Sequence, residues 1–216
     1  MWSWDDRSGE LNVLFTGKGG SAGDSLGSEL PEGVRPAWLQ QIHSAMVRPG
    51  RPGFCGEGDA LITSERGVAV SVVTADCVPV LLASGNQVAA VHAGWRGLVQ
   101  RILPATLSQF EEPADRIRAW IGPAIGPCCY EVGEEVADQV VEVSSEEISR
   151  PGPRGRPHLD LVAVAELQLA EAGVHRVQRV GLCTRCAASE LWSYRRDGKG
   201  AGRNHAWIWR SGVGGD

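Results

Sequence analysis

The chain has 216 residues, a length that suits one domain over residues 1–216 and leaves no room for a large accessory module. Hydrophobic residues make up 43% and charged residues 22%, so the chain can bury a core and is not a disordered polymer. A net charge of −5 provides no diffuse basic surface for nucleic acid, so any anion has to be held by a local group of arginines.

The first residues, Met1 to Asp6, show no basic segment followed by an apolar one, and no apolar run approaches the ~18 residues of a membrane span. This pattern points to a cytoplasmic protein with no membrane partner. Short β-branched and apolar runs bounded by Gly, Asp or Ser predict strands at 13–15, 60–63, 68–74, 78–82 and 88–91. Helical spacing follows in Leu98, Ile102, Leu103, Thr106, Leu107 and Phe110, then a strand at 117–121, then helical spacing again in Val132, Val136 and Val140. The stretch from Ser149 to Pro157, dense in Pro, Gly and charge, reads as a mobile loop. Leu161 to Ala172 reads as a helix with Asp160 as its N-cap and Gly173 as its stop, and strands at 174–182 and 206–209 complete the series. This mixed order predicts an α/β or α+β chain with mixed β-sheets flanked by helices.

Six cysteines are too few for a secreted disulfide scaffold, which leaves packing, metal ligation or catalysis. Cys77 lies at the junction of two apolar runs, between His43 and His92, which stand in loop-like contexts beside Gln or Gly. One thiol and two imidazoles are a three-ligand zinc set with an open fourth position. The same trio suits a cysteine nucleophile with a histidine base, or plain packing, and the spacing does not separate these. Adjacent Cys128 and Cys129 should send their side chains apart and serve as packing. Cys183-Thr184-Arg185-Cys186 has no second Cys-x-x-Cys to complete a zinc site, and Cys55 reads as a loop thiol. Arg195, Arg196 and Arg203 cluster in a Gly-rich segment suited to bidentate anion recognition. Arg96 sits between Gly94 and Gly97, which let backbone come close to a ligand. Of eight Trp, only Trp95 adjoins a motif.

The motifs together resemble one family, the laccase-domain proteins labelled multicopper polyphenol oxidoreductases and better described as purine nucleoside phosphorylases of the Cys/His zinc type. The resemblance rests on Gln41-Ile42-His43, Gly58 to Thr63, Thr74 to Leu82, Val91 to Gly97, Ile121 to Val132 and Ser193 to Asp197. It implies Zn²⁺ held by His43, Cys77 and His92, purine nucleosides and inorganic phosphate as substrates, and a single layered domain. It also implies phosphorolysis of adenosine, inosine, guanosine and methylthioadenosine together with adenosine deamination. Gln41, Arg96, Arg195, Arg196 and Arg203 would then contact substrate or phosphate, and Asp76, beside Cys77, could carry protons. Two departures stand out. The N-terminal segment Thr16 to Ser21 lacks the family's arginine and is shortened after Gly23, and Ala201 replaces a threonine.

Five histidines cannot supply the His-rich copper sites that oxygen reduction needs, so copper oxidation of phenols is disfavoured. A cysteine hydrolase using Cys77 and a non-catalytic, zinc-stabilised protein remain as alternatives.

Overall fold

The computed structural model describes residues 1–5, 9–19 and 27–212. Its strands are β1 (Trp2–Asp5), β2 (Leu11–Phe15), β3 (Arg35–Gln40), β4 (Val47–Pro49), β5 (Gly53–Glu57), β6 (Ala60–Thr63), β7 (Val68–Thr74), β8 (Val78–Ser84), β9 (Gln87–Ala93), β10 (Arg118–Ile121), β11 (Ser149–Pro151), β12 (Pro157–Leu159), β13 (Arg176–Arg179) and β14 (Asn204–Arg210). Its helices are α1 (Trp95–Val99), α2 (Ile102–Leu107), α3 (Glu134–Glu142), α4 (Leu161–Glu171) and α5 (Tyr194–Asp197). The fold is α+β. One mixed sheet has the order β1-β2-β14-β7-β3-β5 and the other β13-β10-β8-β9-β6-β4, with β11 and β12 as a separate hairpin.

The two six-stranded sheets pack face to face. Val13, Phe15, Val70, Val72 and Ile208 of the first sheet meet Leu61, Leu81, Ala90 and Trp120 of the second in one buried cluster. The opposite face of the second sheet, through Val78, Val80, Leu82, Val91 and Ile121, packs on α1 to α4. Strands β8 and β9 are therefore covered on both sides, and so is β7, whose Ala69 packs with Leu14, Trp207 and Trp209 on the outer face of the first sheet. This explains why they read as continuous apolar runs and not as alternating ones. Trp207 and Trp209 lie on the outer face of the first sheet under Leu30 and Val34. No helix among the described residues is long and apolar enough to cross a membrane.

The helix read over 161–172 has the expected cap: the Asp160 side chain accepts a hydrogen bond from Ala163 N at 3.0 Å, and Gly173 follows at φ +93°. The helical spacing from Leu98 to Phe110 is split instead of continuous. Pro104 has no N–H for Gln100 and would crowd its carbonyl, so the helix breaks at Arg101 (φ +64°) and restarts with the proline in its first turn. The segment from Ser149 to Pro157, read as a loop, instead closes the β11–β12 hairpin through three residue pairs. Sequence patterning also missed the short strands β3, β4 and β5, whose residues are half exposed or interrupted by Pro and Gly. Gly20, Ser21 and Gly23 of the shortened segment lie outside the described residues.

Candidate metal centre and cleft

The site lies where the chain passes from one sheet to the other. The link from β3 to β4 carries Gln41 and His43, the link from β7 to β8 carries Asp76 and Cys77, and β9 delivers His92 just before α1. Among the described residues, two of the three non-glycine residues with positive φ are here, His43 (+59°) and Asp76 (+100°), a backbone cost tolerated where a site over-determines the geometry.

The ligand atoms of His43, Cys77 and His92 all lie within 4.8 Å of one another. Cys77 Sγ is 4.0 Å from His43 Nε2, and the two imidazole rings meet edge to face. Gly94 makes room for this approach. A Cβ there would stand 3.1 Å from Cys77 Sγ and 3.2 Å from the His43 ring.

Asp59 organises the group, and sequence reading assigned it no role. Its fully buried carboxylate accepts from His43 N (3.0 Å), Ser44 N (2.6 Å), Ser44 Oγ (2.7 Å), Ile42 N (3.3 Å) and His92 Nδ1 (2.8 Å). The last bond commits Nδ1 to the carboxylate and leaves Nε2 as the free ligand atom, the carboxylate–histidine pairing of metal sites. The donor set therefore fits a metal ion. Burial acts to raise the Asp59 pKa, but hydrogen bonds from His92 and Ser44 outweigh it and hold the group at about 2. Burial likewise opposes charge on His92, yet Asp59 and Cys77 raise its pKa to about 9. The two histidines in turn lower the Cys77 thiol to about 6 against its burial.

The trio opens onto a cleft of about 580 Å³ lined by Gln41, Trp95, Arg96, Tyr130, Tyr194, Arg195 and Arg203 among others. The volume suits a small organic ligand. Arg96 stacks on Trp95 with its guanidinium carbon 4.4 Å from the ring centre. Arg195 lies over Tyr130 and bonds Glu131 O at 2.7 Å, and Arg203 bonds the carbonyls of Ala201 and Gly202. Among the described residues none of these three arginines is paired with a carboxylate. Tyr130 and Tyr194, which sequence reading overlooked, supply aromatic faces. Tyr130 carries a phenol pushed up to about 12 by burial and by the nearby Cys77.

One expected contact, Arg196, is placed elsewhere, and two others, Gln41 and Asp76, line the cleft with their polar atoms already engaged. Arg196 does not line the cleft. Its guanidinium is spent on Asp197, Leu191 O, Thr184 O and Arg185 O, an internal strut between loops. Gln41 lines the cleft, but its side-chain amide pairs with both backbone groups of Val73 at 2.8 Å, extending the sheet edge. Asp76 also reaches the cleft wall with both oxygens engaged, by Thr184 Oγ1 and by Arg195 N at 2.6 Å each. It thereby joins the Cys77 turn to the start of α5.

Cysteines 128, 129, 183 and 186 correct a further expectation. Adjacency does not separate the first pair, and all four sulfurs lie within 4.8 Å of one another. The sulfurs beside Cys183-x-x-Cys186 are those of the vicinal pair, not of a second Cys-x-x-Cys.

Residues 26–211 match the family model described as multi-copper polyphenol oxidoreductase laccase. The chain belongs to this family. Curated relatives of this laccase family include purine nucleoside phosphorylase PA4543 of Pseudomonas aeruginosa, 39% identical over 81% of this chain and 74% of the relative. Purine nucleoside phosphorylase SCO2081 of Streptomyces coelicolor is 40% identical over 93% of this chain and 88% of the relative. Protein NMB0706 of Neisseria meningitidis superposes with a TM-score of 0.81 at 31% identity, covering 94% of this chain and 95% of that one. The multicopper part of the laccase family's description is at odds with the ligand supply here. Beyond the trio only His158, His175 and His205 remain, and among the described residues they form no metal-binding group with one another.

Proposed function

We propose that the chain is a zinc-dependent purine nucleoside phosphorylase, acting on adenosine, inosine, guanosine and methylthioadenosine, with adenosine deaminase activity. One observation carries the reading: a His₂Cys ligand set, three guanidinium groups without carboxylate partners among the described residues, and three aromatic side chains share one cleft. The names of the curated relatives support it. His43, Cys77 and His92 would hold the zinc ion, which supplies Lewis acidity and no redox couple. Arg96, Arg195 and Arg203 bind and orient inorganic phosphate. Trp95, Tyr130 and Tyr194 offer apolar faces to the purine. In phosphorolysis a phosphate oxygen bonds to the sugar C1′ as the bond to the base nitrogen breaks. The electron pair leaves with the purine, which takes up a proton, and the products are free base and sugar 1-phosphate. Asp59 fixes the orientation of His92, and Asp76 holds the backbone of Arg195 at the phosphate end.

The test is chromatography of reactions with adenosine, inosine and methylthioadenosine, with and without phosphate, with zinc determined on the same sample. Phosphate-dependent release of base at stoichiometric zinc is the expected result, and zinc-loaded protein with no nucleoside turnover refutes the proposal. A second reading draws on the Cys77–His43 contact at 4.0 Å, which also suits a thiol nucleophile with an imidazole base. Iodoacetamide labelling of Cys77 in metal-free protein, together with ester or amide hydrolysis, would favour it. The six free thiols suit a reducing compartment, and on that ground we place the protein in the cytoplasm.

A further inference from the structure

We propose that Cys128, Cys129, Cys183 and Cys186 form a second metal site, a tetrathiolate that holds one zinc ion and clamps the wall of the cleft. The four sulfurs lie within 4.8 Å of one another, with Cys186 Sγ 3.7 Å from Cys128 Sγ and 3.5 Å from Cys129 Sγ. A tetrahedral site with zinc–sulfur bonds of about 2.3 Å sets neighbouring sulfurs about 3.8 Å apart, which these contacts match. A disulfide would pair the sulfurs at about 2.05 Å. Here Cys186 instead stands between two others, and all four cysteines are free thiols. A multi-iron cluster places several atoms between its cysteines and needs a wider ring than this one.

The topology assembles the group. β10 and β13 pair in parallel, so both strands leave the sheet at the same end, and a bridge from Ala124 to Cys183 continues their pairing. The loops that follow carry the two cysteine pairs. Cys129 N and Tyr130 N both donate to Gly126 O, a tight turn that keeps both vicinal thiols beside the Cys183–Cys186 turn.

On binding zinc, each thiol gives its proton to solvent and the metal keeps its oxidation state, so the site gains a net charge of about −2. Donors to carry that charge are in place. Gly126 N donates to Cys183 Sγ at 3.3 Å, and Arg185 Nη1 stands 3.5 Å from Cys129 Sγ. The first loop lines the cleft through Tyr130, which follows Cys129 directly, and both loops brace the segment that bears Arg195: Arg195 Nη1 bonds Glu131 O, and Arg196 Nη1 bonds Thr184 O and Arg185 O. A metal here would fix Tyr130 and Arg195 without touching substrate.

The full chain, purified with reductant, is to be compared with its Cys77→Ala and Cys183→Ser variants by metal content per chain and by visible spectra after cobalt exchange. Cys77→Ala breaks the His₂Cys group and leaves the four cysteines intact. It is expected to keep one equivalent of zinc, to give the bands of sulfur-only tetrahedral cobalt, and to keep its four clustered thiols from iodoacetamide until a strong chelator is added, with Cys55 alone reacting before that. Cys183→Ser is expected to lose one equivalent relative to its parent and to melt at lower temperature. The Cys77→Ala readings do not require the serine variant to fold. Metal-free Cys77→Ala protein whose four thiols alkylate at once would overturn the proposal, as would iron with inorganic sulfide, or a disulfide among the four in reductant-purified protein. Counting on a chain whose trio is broken separates this result from the fate of the phosphorylase reading.

Discussion

Replacing Asp59 by Asn tests whether the buried carboxylate organises the metal group. Asn keeps the volume, but its NH₂ end meets N–H donors whichever way it is turned: His43 N and His92 Nδ1 on one side, Ser44 N and Ile42 N on the other. At least two charge-assisted bonds are lost at about 1.5–3 kcal/mol each, so the cost is about 3–6 kcal/mol. At about 2–4 °C per kcal/mol for a chain of this size, the melting temperature falls by about 6–24 °C. His92 also loses the partner that sets its tautomer, which weakens metal binding by about 10–100-fold. Thermal melts with and without zinc read the first effect, and competition with a chelator of known affinity reads the second. An Asn variant that melts with the parent and binds zinc as tightly would show that the hydrogen-bond network around Asp59 is incidental.

Gly94→Ala brings a methyl group against Cys77 and His43 at 3.1 and 3.2 Å, and overpacking of this kind costs about 1–3 kcal/mol; zinc retention after dialysis should fall relative to the parent. Arg203→Ala, on an exposed side chain that among the described residues bonds only its own loop, should raise KM for phosphate by about tenfold or more while leaving the melting temperature within about 2 °C. Arg196→Ala should do the reverse in stability and lower the melting temperature by several degrees, because its guanidinium ties together Thr184, Arg185, Leu191 and Asp197. Burial acts to raise the Glu29 pKa, but His205 and Trp207 Nε1 prevail and lower it below 4.5. Its stabilisation is therefore present above that value and lost as pH falls through the folded pKa. Glu29→Gln should cost stability in urea melts at pH 7, with the difference from the parent shrinking towards pH 3.

The parts legible in the sequence are those governed by local chemistry. The Asp160 cap and Gly173 stop mark α4 because both act within one helical turn, and β7 to β9 show as apolar runs because both of their faces are covered. The His43, Cys77 and His92 set was visible as a scarce combination of residue types, although its spacing alone left the chemistry open. Asp59 was hidden because nothing nearby in sequence shows that an aspartate opening a strand will accept from a loop 15 residues earlier and from a histidine 33 residues later. Its complete burial ahead of an apolar run is the signal that structure adds. The four cysteines were misread because their meeting depends on β10 pairing with β13, a register no local pattern discloses. Arg196 was misplaced for the opposite reason: it neighbours Arg195 in sequence, and a short helix turns the two side chains to different surroundings.

The position of β14 between β2 and β7 has a consequence for synthesis of the chain on the ribosome. The helix-backed sheet can assemble once β13 has emerged, whereas the other sheet has a gap in its middle until residues 204–210 leave the exit tunnel. Until then β2 and β7 each expose an unpaired apolar edge, a hazard for association with other nascent chains. The last strand threads between two that have been waiting for it, so ribosome-bound chains stopped before Asn204 should engage chaperones far more than chains released beyond Arg210.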